Sequence, residues 1–189
     1  MMKHVLSADQ YDKESLNEVF DLTNKIKDHP KEYSNKLSDK IIAVMFYEPS
    51  TRTRLSFETA ALKLGAKIIT TENAGSSSSA SKGETIQDSV RVIAGYADAL
   101  VMRHKSDTSA IEAASVNKIP ILNGGAGKGE HPTQALLDLY TIREKVGRLN
   151  NLKVAILGDL VNGRTIHSLI QLLALYDNIQ IYGLSKEAF

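Results

Sequence analysis

Glu48-Pro49-Ser50-Thr51-Arg52-Thr53-Arg54 is the stretch on which the fold turns. It follows Ile41-Ile42-Ala43-Val44-Met45-Phe46-Tyr47, a continuous apolar run of the kind found in a buried strand. It precedes Leu55-Ser56-Phe57-Glu58-Thr59-Ala60-Ala61-Leu62-Lys63-Leu64, which has helical spacing and closes at Gly65. In α/β proteins a ligand sits where a strand ends in a polar turn that opens a helix. The first N–H groups of a helix lack intrahelical partners, and the dipole places partial positive charge there, so an anion is favoured. Three hydroxyls (Ser50, Thr51, Thr53) and two guanidiniums (Arg52, Arg54) fall within five residues. Hydroxyls and amides can cradle phosphate oxygens, and an arginine can grip them through two parallel bonds. The same residues also fit an ordinary helix start, with Ser50 as N-cap and two solvated arginines. Pro49, which fixes the turn, and the absence of Lys and Glu from residues 50–54 favour a phosphate pocket.

Outward from this stretch, strand and helix patterns alternate along the chain. A helix is predicted over residues 11–29, ended by Pro30, and residues 31–40 read as a loop. Further strands are predicted at 66–71, 98–103 and 119–122, with Pro120 arguing for an edge or a strand start. Ser81 and Glu84 match a capping box for a helix running through Ile86 and Val90 to about Tyr96. A short helix covers about 107–116. The Gly-rich run 123–130 reads as a loop leading to Pro132, which suits the first position of a helix that stops at Gly147. After a junction at Asn150-Asn151 come a strand at 152–158, a helix over 163–176 and a strand at 179–183. Such alternation implies an α/β fold, a doubly wound parallel sheet covered on both faces, followed by the start of a second α/β domain. The expected division is 1–149 and 150–189. Two strands and one helix cannot bury a core of their own, so the second unit reads as incomplete.

Bulk properties narrow the classes. The chain has 189 residues, 42% apolar and 24% charged, with a net charge of +1 and no cysteine. Neither nucleic acid nor an acidic membrane is implied as partner, and no disulfide or thiolate chemistry is available. There is no signal-peptide core at the N-terminus and no run long enough to span a membrane. A cytoplasmic protein is expected.

Further polar clusters fall at strand-to-helix turns. Arg103 ends a strand, where it points into the ligand crevice of a parallel sheet. His131 and Gln134, three apart, share the first turn of their helix; a His can donate to a carbonyl and a Gln amide can match a carboxamide. Arg164 opens the helix after Gly158-Asp159, a place unfavourable for a cation unless an anion sits there. Lys82 lies in the Ser/Gly-rich run 72–83, which has the composition of a flexible loop and could serve as a lid. No metal-ligand set, Ser-His-Asp triad or carboxylate pair is apparent, and the Gly158 turn lacks a dinucleotide fingerprint.

Ser50-Thr51-Arg52-Thr53-Arg54 with Ser56-Phe57-Glu58, Val101-Met102-Arg103-His104, His131-Pro132-Thr133-Gln134 and Gly163-Arg164-Thr165-Ile166-His167-Ser168 together resemble the aspartate and ornithine carbamoyltransferase family, in family order and over nearly the whole chain. Lys82-Gly83-Glu84-Thr85 and Thr133 resemble the aspartate type; the ornithine type usually carries Cys in the His-Pro motif. The resemblance implies transfer of the carbamoyl group of carbamoyl phosphate to L-aspartate, without metal or organic cofactor. A carbamoyltransferase with another acceptor, such as ornithine, and a non-catalytic carbamoyl-phosphate-binding module are the alternatives. It further implies that Ser50, Thr51, Arg52, Thr53, Arg103, His131, Gln134 and Ser78 hold carbamoyl phosphate, and that Lys82 and Arg164 meet aspartate. Arg52, Thr53, Arg103, His131 and Lys82 would be the catalytic set, with Arg54 orienting the site. Implied partners are further copies in a homotrimer, with Ser78 and Lys82 entering a neighbour's site; regulatory chains are a further candidate. The family's full second domain carries another Arg and Gln for aspartate, which would lie beyond Phe189.

Overall fold

The computed structural model describes residues 4–72, 74 and 83–185. Four strands, β1 (Ile41–Phe46), β2 (Lys67–Glu72), β3 (Ala99–His104) and β4 (Ile121–Ala126), form one sheet in the order β2-β1-β3-β4. All three pairings are parallel, with Ile42 opposite both Ile68 and Ala99, and Leu100 opposite Ile121. Side chains of β1 alternate between the faces, as the two-residue period of a strand requires. Val44 and Phe46 pack with Val101 and the half-buried Phe57 of α3 (Thr51–Lys63). Ala43 joins Leu100 and Met102 on the other face, against Val90 and Ile93 of α4 (Ile86–Ile93) and Ala113 of α5 (Ser109–Ser115). The expected doubly covered parallel sheet is therefore present. From β1 the chain crosses outward to β2, while β3 lies on the other side of β1. The order reverses between β1 and β3, and the crevice beyond their carboxyl ends is the natural ligand position.

Helix α1 (Lys13–Asp28) starts on Asp12, whose side chain accepts from the Ser15 amide at 2.8 Å. Pro30 ends α1 but also begins a four-residue helix, α2 (Pro30–Tyr33), so residues 31–40 are not all loop; proline is preorganised for a first helical position. Helix α4 starts later than the capping-box pattern suggested. Its N-cap is Thr85, which accepts from the Asp88 amide at 3.1 Å; Ser81 lies outside the described residues. Strand β4 is longer than expected and takes in Asn123-Gly124-Gly125-Ala126. It is the last strand of the sheet, as Pro120 suggested, but the N-terminal segment pairs with it: Val5 donates to the Ile121 carbonyl and accepts from Asn123, both at 2.8 Å.

Helix α6 (Pro132–Val146) runs to Gly147, whose φ of +79° makes the left-handed stop that glycine accommodates. Beyond it, β5 (Lys153–Leu157) and β6 (Gln180–Leu184) pair in parallel as a separate two-stranded sheet, joined by α7 (Arg164–Leu173). This unit shares its core rather than burying one of its own. Leu172 and Leu173 of α7, both fully buried, pack with Leu16 and Phe20 of α1, Ala135 and Leu139 of α6, and Leu149 and Leu152 of the connection. Burial of large apolar side chains contributes roughly 1.5–3 kcal/mol each, so this cluster fixes α7 against α6. That contact brings Arg164, at the start of α7, beside the crevice of the first sheet.

Candidate active site

Three helix starts meet at the carboxyl ends of β1 and β3. The N-cap positions of α3, α6 and α7 are Ser50, His131 and Gly163; none makes a side-chain capping bond, and no acid lies in any of the three first turns. Helices α1 and α4, by contrast, are capped by Asp12 and Thr85 and carry Glu14 and Asp88 in their first turns. Ser50 thus occupies the cap position without capping, which sets aside the plain helix-start reading and leaves its hydroxyl at the cleft. Uncapped amides and positive dipole ends suit an anion.

The cleft holds about 720 Å³. Of the residues singled out from the sequence, Ser50, Arg52, Thr53, Arg103, His131, Gln134 and Arg164 line it together. Thr51 does not; its side chain is exposed on the first turn of α3. Ser78 and Lys82 lie outside the described residues. Arg54 turns away, 3.5 Å from Glu58 and 3.4 Å from Glu72, and so braces α3 against β2. His167 has its Nε2 3.0 Å from the Leu160 carbonyl oxygen, a structural contact.

Glu48, the first residue of the opening stretch, was given no role in the sequence reading. Its Oε1 accepts from Arg103 Nη2 at 2.8 Å and from Arg164 Nη2 at 2.9 Å. Arg164 Nη1 also donates to the Gly127 carbonyl, and Arg103 Nη1 to the Gly124 carbonyl at 3.3 Å. An acid before a proline at the end of a strand, inside a cationic run, was the available signal. Burial lowers the pKa of Arg103, and Arg164 lowers it further, while Glu48 opposes both. Ser56, Phe57, Ala60, Leu137, Asp138 and Thr165 also line the cleft and were not foreseen as site residues. Thr53, Phe57 and Ala60 share one face of α3 by the i, i+4, i+7 pattern.

Gly125 is fixed by its surroundings. Its φ is +125°, and a Cβ there would come within 2.8 Å of Arg103 Nη1. We expect Gly125→Ala to cost about 1–2 kcal/mol in urea unfolding through backbone strain and to weaken phosphate binding through displacement of Arg103; unchanged stability and affinity would refute this.

His131 is buried, and its pKa is pushed down to about 4 by burial first and then by Arg103 and Arg164. It is therefore neutral near pH 7. Its backbone amide donates to Ser168 Oγ at 3.0 Å, and Ser168 Oγ donates to Glu130 Oε2 at 2.6 Å. Gln134 Nε2 donates to Asp138 Oδ1 at 2.9 Å.

This arrangement defines an α/β protein with a cleft suited to a phosphate-type anion at the switch point of a parallel sheet, where a neutral imidazole and a carboxamide stand beside it. The family described as aspartate/ornithine carbamoyltransferase, carbamoyl-P binding domain, matches residues 3–144, and the chain belongs to it. An aspartate carbamoyltransferase of Arabidopsis thaliana is 47% identical over 188 residues, covering 98% of this chain and 48% of the relative. The aspartate carbamoyltransferase catalytic subunit of Methanocaldococcus jannaschii is 47% identical, over 98% of this chain and 61% of the relative. A crystal form of the M. jannaschii catalytic subunit superposes with a TM-score of 0.91 at 46% identity, covering 98% of this chain and 61% of that one. Trypanosoma cruzi aspartate transcarbamoylase in complex with carbamoyl phosphate and aspartate gives a TM-score of 0.86 at 38% identity, over 94% and 55% of the two chains. The chain thus spans about half to three-fifths of the length of these relatives.

Proposed function

We propose that this chain serves carbamoyl transfer from carbamoyl phosphate to the α-amine of L-aspartate, giving N-carbamoyl-L-aspartate and phosphate, an early step of pyrimidine synthesis. The observation that carries the reading is the convergence of three uncapped helix starts, Arg52, Arg103 and a neutral His131 on one cleft. The amine nitrogen attacks the carbamoyl carbon, the bond to the phosphate oxygen breaks, and the leaving phosphate can take the amine proton. Arg103, Thr53 and the imidazole N–H of His131 would stabilise the carbonyl oxygen as it gains charge. Arg52, Ser50 and the first amides of α3, including that of Thr51, would hold the phosphate. Much of the catalysis would come from holding two anions together. Relatives at 47% identity carry the aspartate name, and one neighbour's structure holds both substrates; this supports aspartate over ornithine as acceptor.

The same proposal includes a carbamoyl-phosphate-binding part over residues 1–149 and the beginning of an aspartate-binding part over 150–189. It also includes a cytoplasmic homotrimer in which Ser78 and Lys82 serve a neighbour's site, with regulatory chains as a further partner; these rest on the resemblance.

A second reading follows from length. A chain spanning 48–61% of its relatives fits a carbamoyl-phosphate half-site that takes its remaining aspartate contacts from a further segment or polypeptide. One experiment separates the two: N-carbamoyl-aspartate formation and carbamoyl-phosphate binding are measured for the chain and for Arg52→Ala. Product formed by the chain and lost in the variant supports the transferase. Binding without product, weakened at least tenfold in Arg52→Ala as loss of a charge-assisted contact predicts, supports the half-site. Neither product nor binding refutes both.

A further inference from the structure

Asp138 is a half-buried carboxylate lining an otherwise anion-seeking cleft, and phosphate chemistry gives it no part. It lies one helical turn beyond Gln134 on α6, about 6 Å further from the positive end of that helix. Leu137, Phe57 and Ala60 line the cleft with it. It therefore belongs to the end of the cleft away from the helix start, where it need not oppose a bound phosphate.

Its contact with Gln134 decides which way that amide faces. An ionised carboxylate can only accept hydrogen bonds, and of the carbonyl oxygen and NH₂ of the Gln134 amide only the NH₂ can donate. With Nε2 given to Asp138 Oδ1 at 2.9 Å, Oε1 is left as the group Gln134 can offer to a ligand. We propose that Asp138 is a positioning residue that locks Gln134 with its carbonyl oxygen available to the substrate, so that the cleft selects an acyl phosphate whose acyl end donates N–H. A carbamoyl NH₂ meets that demand; the methyl group of an acetyl phosphate of nearly the same shape does not. A buried acceptor left without its donor discriminates strongly against such an isostere. The inference rests on the carbamoyl-phosphate reading above and assigns the origin of its preference.

The test is equilibrium binding of carbamoyl phosphate, acetyl phosphate and inorganic phosphate to the chain, Asp138→Asn and Asp138→Glu. Asn can donate or accept, so it satisfies Gln134 in either orientation and removes the lock. The expected result is a preference of the unaltered chain for carbamoyl over acetyl phosphate that falls about tenfold in Asp138→Asn, the order set by one hydrogen bond. Asp138→Glu, which still only accepts, should retain part of the preference, and inorganic phosphate should bind all three chains alike. A preference unchanged in Asp138→Asn overturns the proposal, as does one absent from the unaltered chain. So does equal weakening of all three ligands, which would mark general damage. An unaltered chain that binds none of them overturns the carbamoyl-phosphate reading itself, and this proposal with it.

Discussion

Glu48→Ala is expected to lose about 2–3 kcal/mol of stability in phosphate-free buffer and to regain most of it when inorganic phosphate is added. Arg103 is only 9% exposed, its Nε is buried without a hydrogen-bond partner, and its neighbour in the cleft is a second guanidinium, Arg164. One carboxylate oxygen of Glu48 accepts from both. Removing one member of a buried charge pair costs roughly 3–5 kcal/mol, because the remaining charge stays desolvated and unpaired. The Glu48 side chain is 26% exposed, so water recovers part of that and the lower figure follows. At this chain length it corresponds to a fall in Tm of roughly 5–10 °C. Phosphate binding the folded state would supply the missing negative charge and stabilise by mass action. The unaltered chain should gain less from the same phosphate, since Glu48 competes for Arg103. Glu48→Gln, which keeps the shape and removes the charge, should behave like Glu48→Ala. Thermal melts with and without phosphate check this. A variant as stable as the unaltered chain, or equal stabilisation of both by phosphate, would defeat the account.

Glu48 also marks the limit of what the sequence discloses. The parallel sheet was legible because β1 and β3 are unbroken apolar runs and their partners are separated by helices, a local signal that periodicity captures. The meeting of Arg52, Arg103, His131 and Arg164 in one cleft was legible because each sits at a strand-to-helix turn, and in such a fold those turns share one edge. What could not be read was which of these groups touch each other. Glu48 takes Arg164, 116 positions away, because α7 packs on α6 and α1, and takes Arg103, 55 positions away, because β1 and β3 are neighbours, while Arg54 turns to Glu58 on its own helix and Glu72 on β2. Nor does composition distinguish glycines at the end of a strand from glycines in a loop. Gly124 and Gly125 belong to β4; the Arg103 side chain occupies the space where a Gly125 side chain would stand and donates to the Gly124 carbonyl. The start of α4 was misplaced because Ser81 and Thr85 carry equivalent capping hydroxyls, and the choice fell to the residue whose oxygen meets the Asp88 amide.

His131 should make the protein sensitive to acid well above the range of its carboxylates. Its pKa falls from the ordinary 6.5 to about 4, chiefly through burial and then through the charges of Arg103 and Arg164. Between those values the unfolded chain takes up a proton that the folded chain refuses, so the unfolded state binds more protons and stability declines as pH falls. This loss is absent above pH 6.5 and complete near pH 4; on the order of 3 kcal/mol is at stake, at about 1.4 kcal/mol per unit. Carboxylates whose pKa values are lowered by their partners, such as Asp12, Asp88 and Asp159, lose their own stabilisation only at lower pH. Asp138, with its pKa raised by burial, works in the opposite sense. Urea unfolding of the chain and of His131→Asn at half-unit steps from pH 7.5 to 4.5 isolates the histidine. The difference in stability between the two should shrink steadily below pH 6.5, and a difference independent of pH would remove the basis for a depressed His131. The same shift explains why an imidazole suits this position. A neutral ring gives a carbonyl oxygen one N–H without placing a third positive charge beside Arg103 and Arg164, where it would raise the cost of the empty cleft that Glu48 helps to offset.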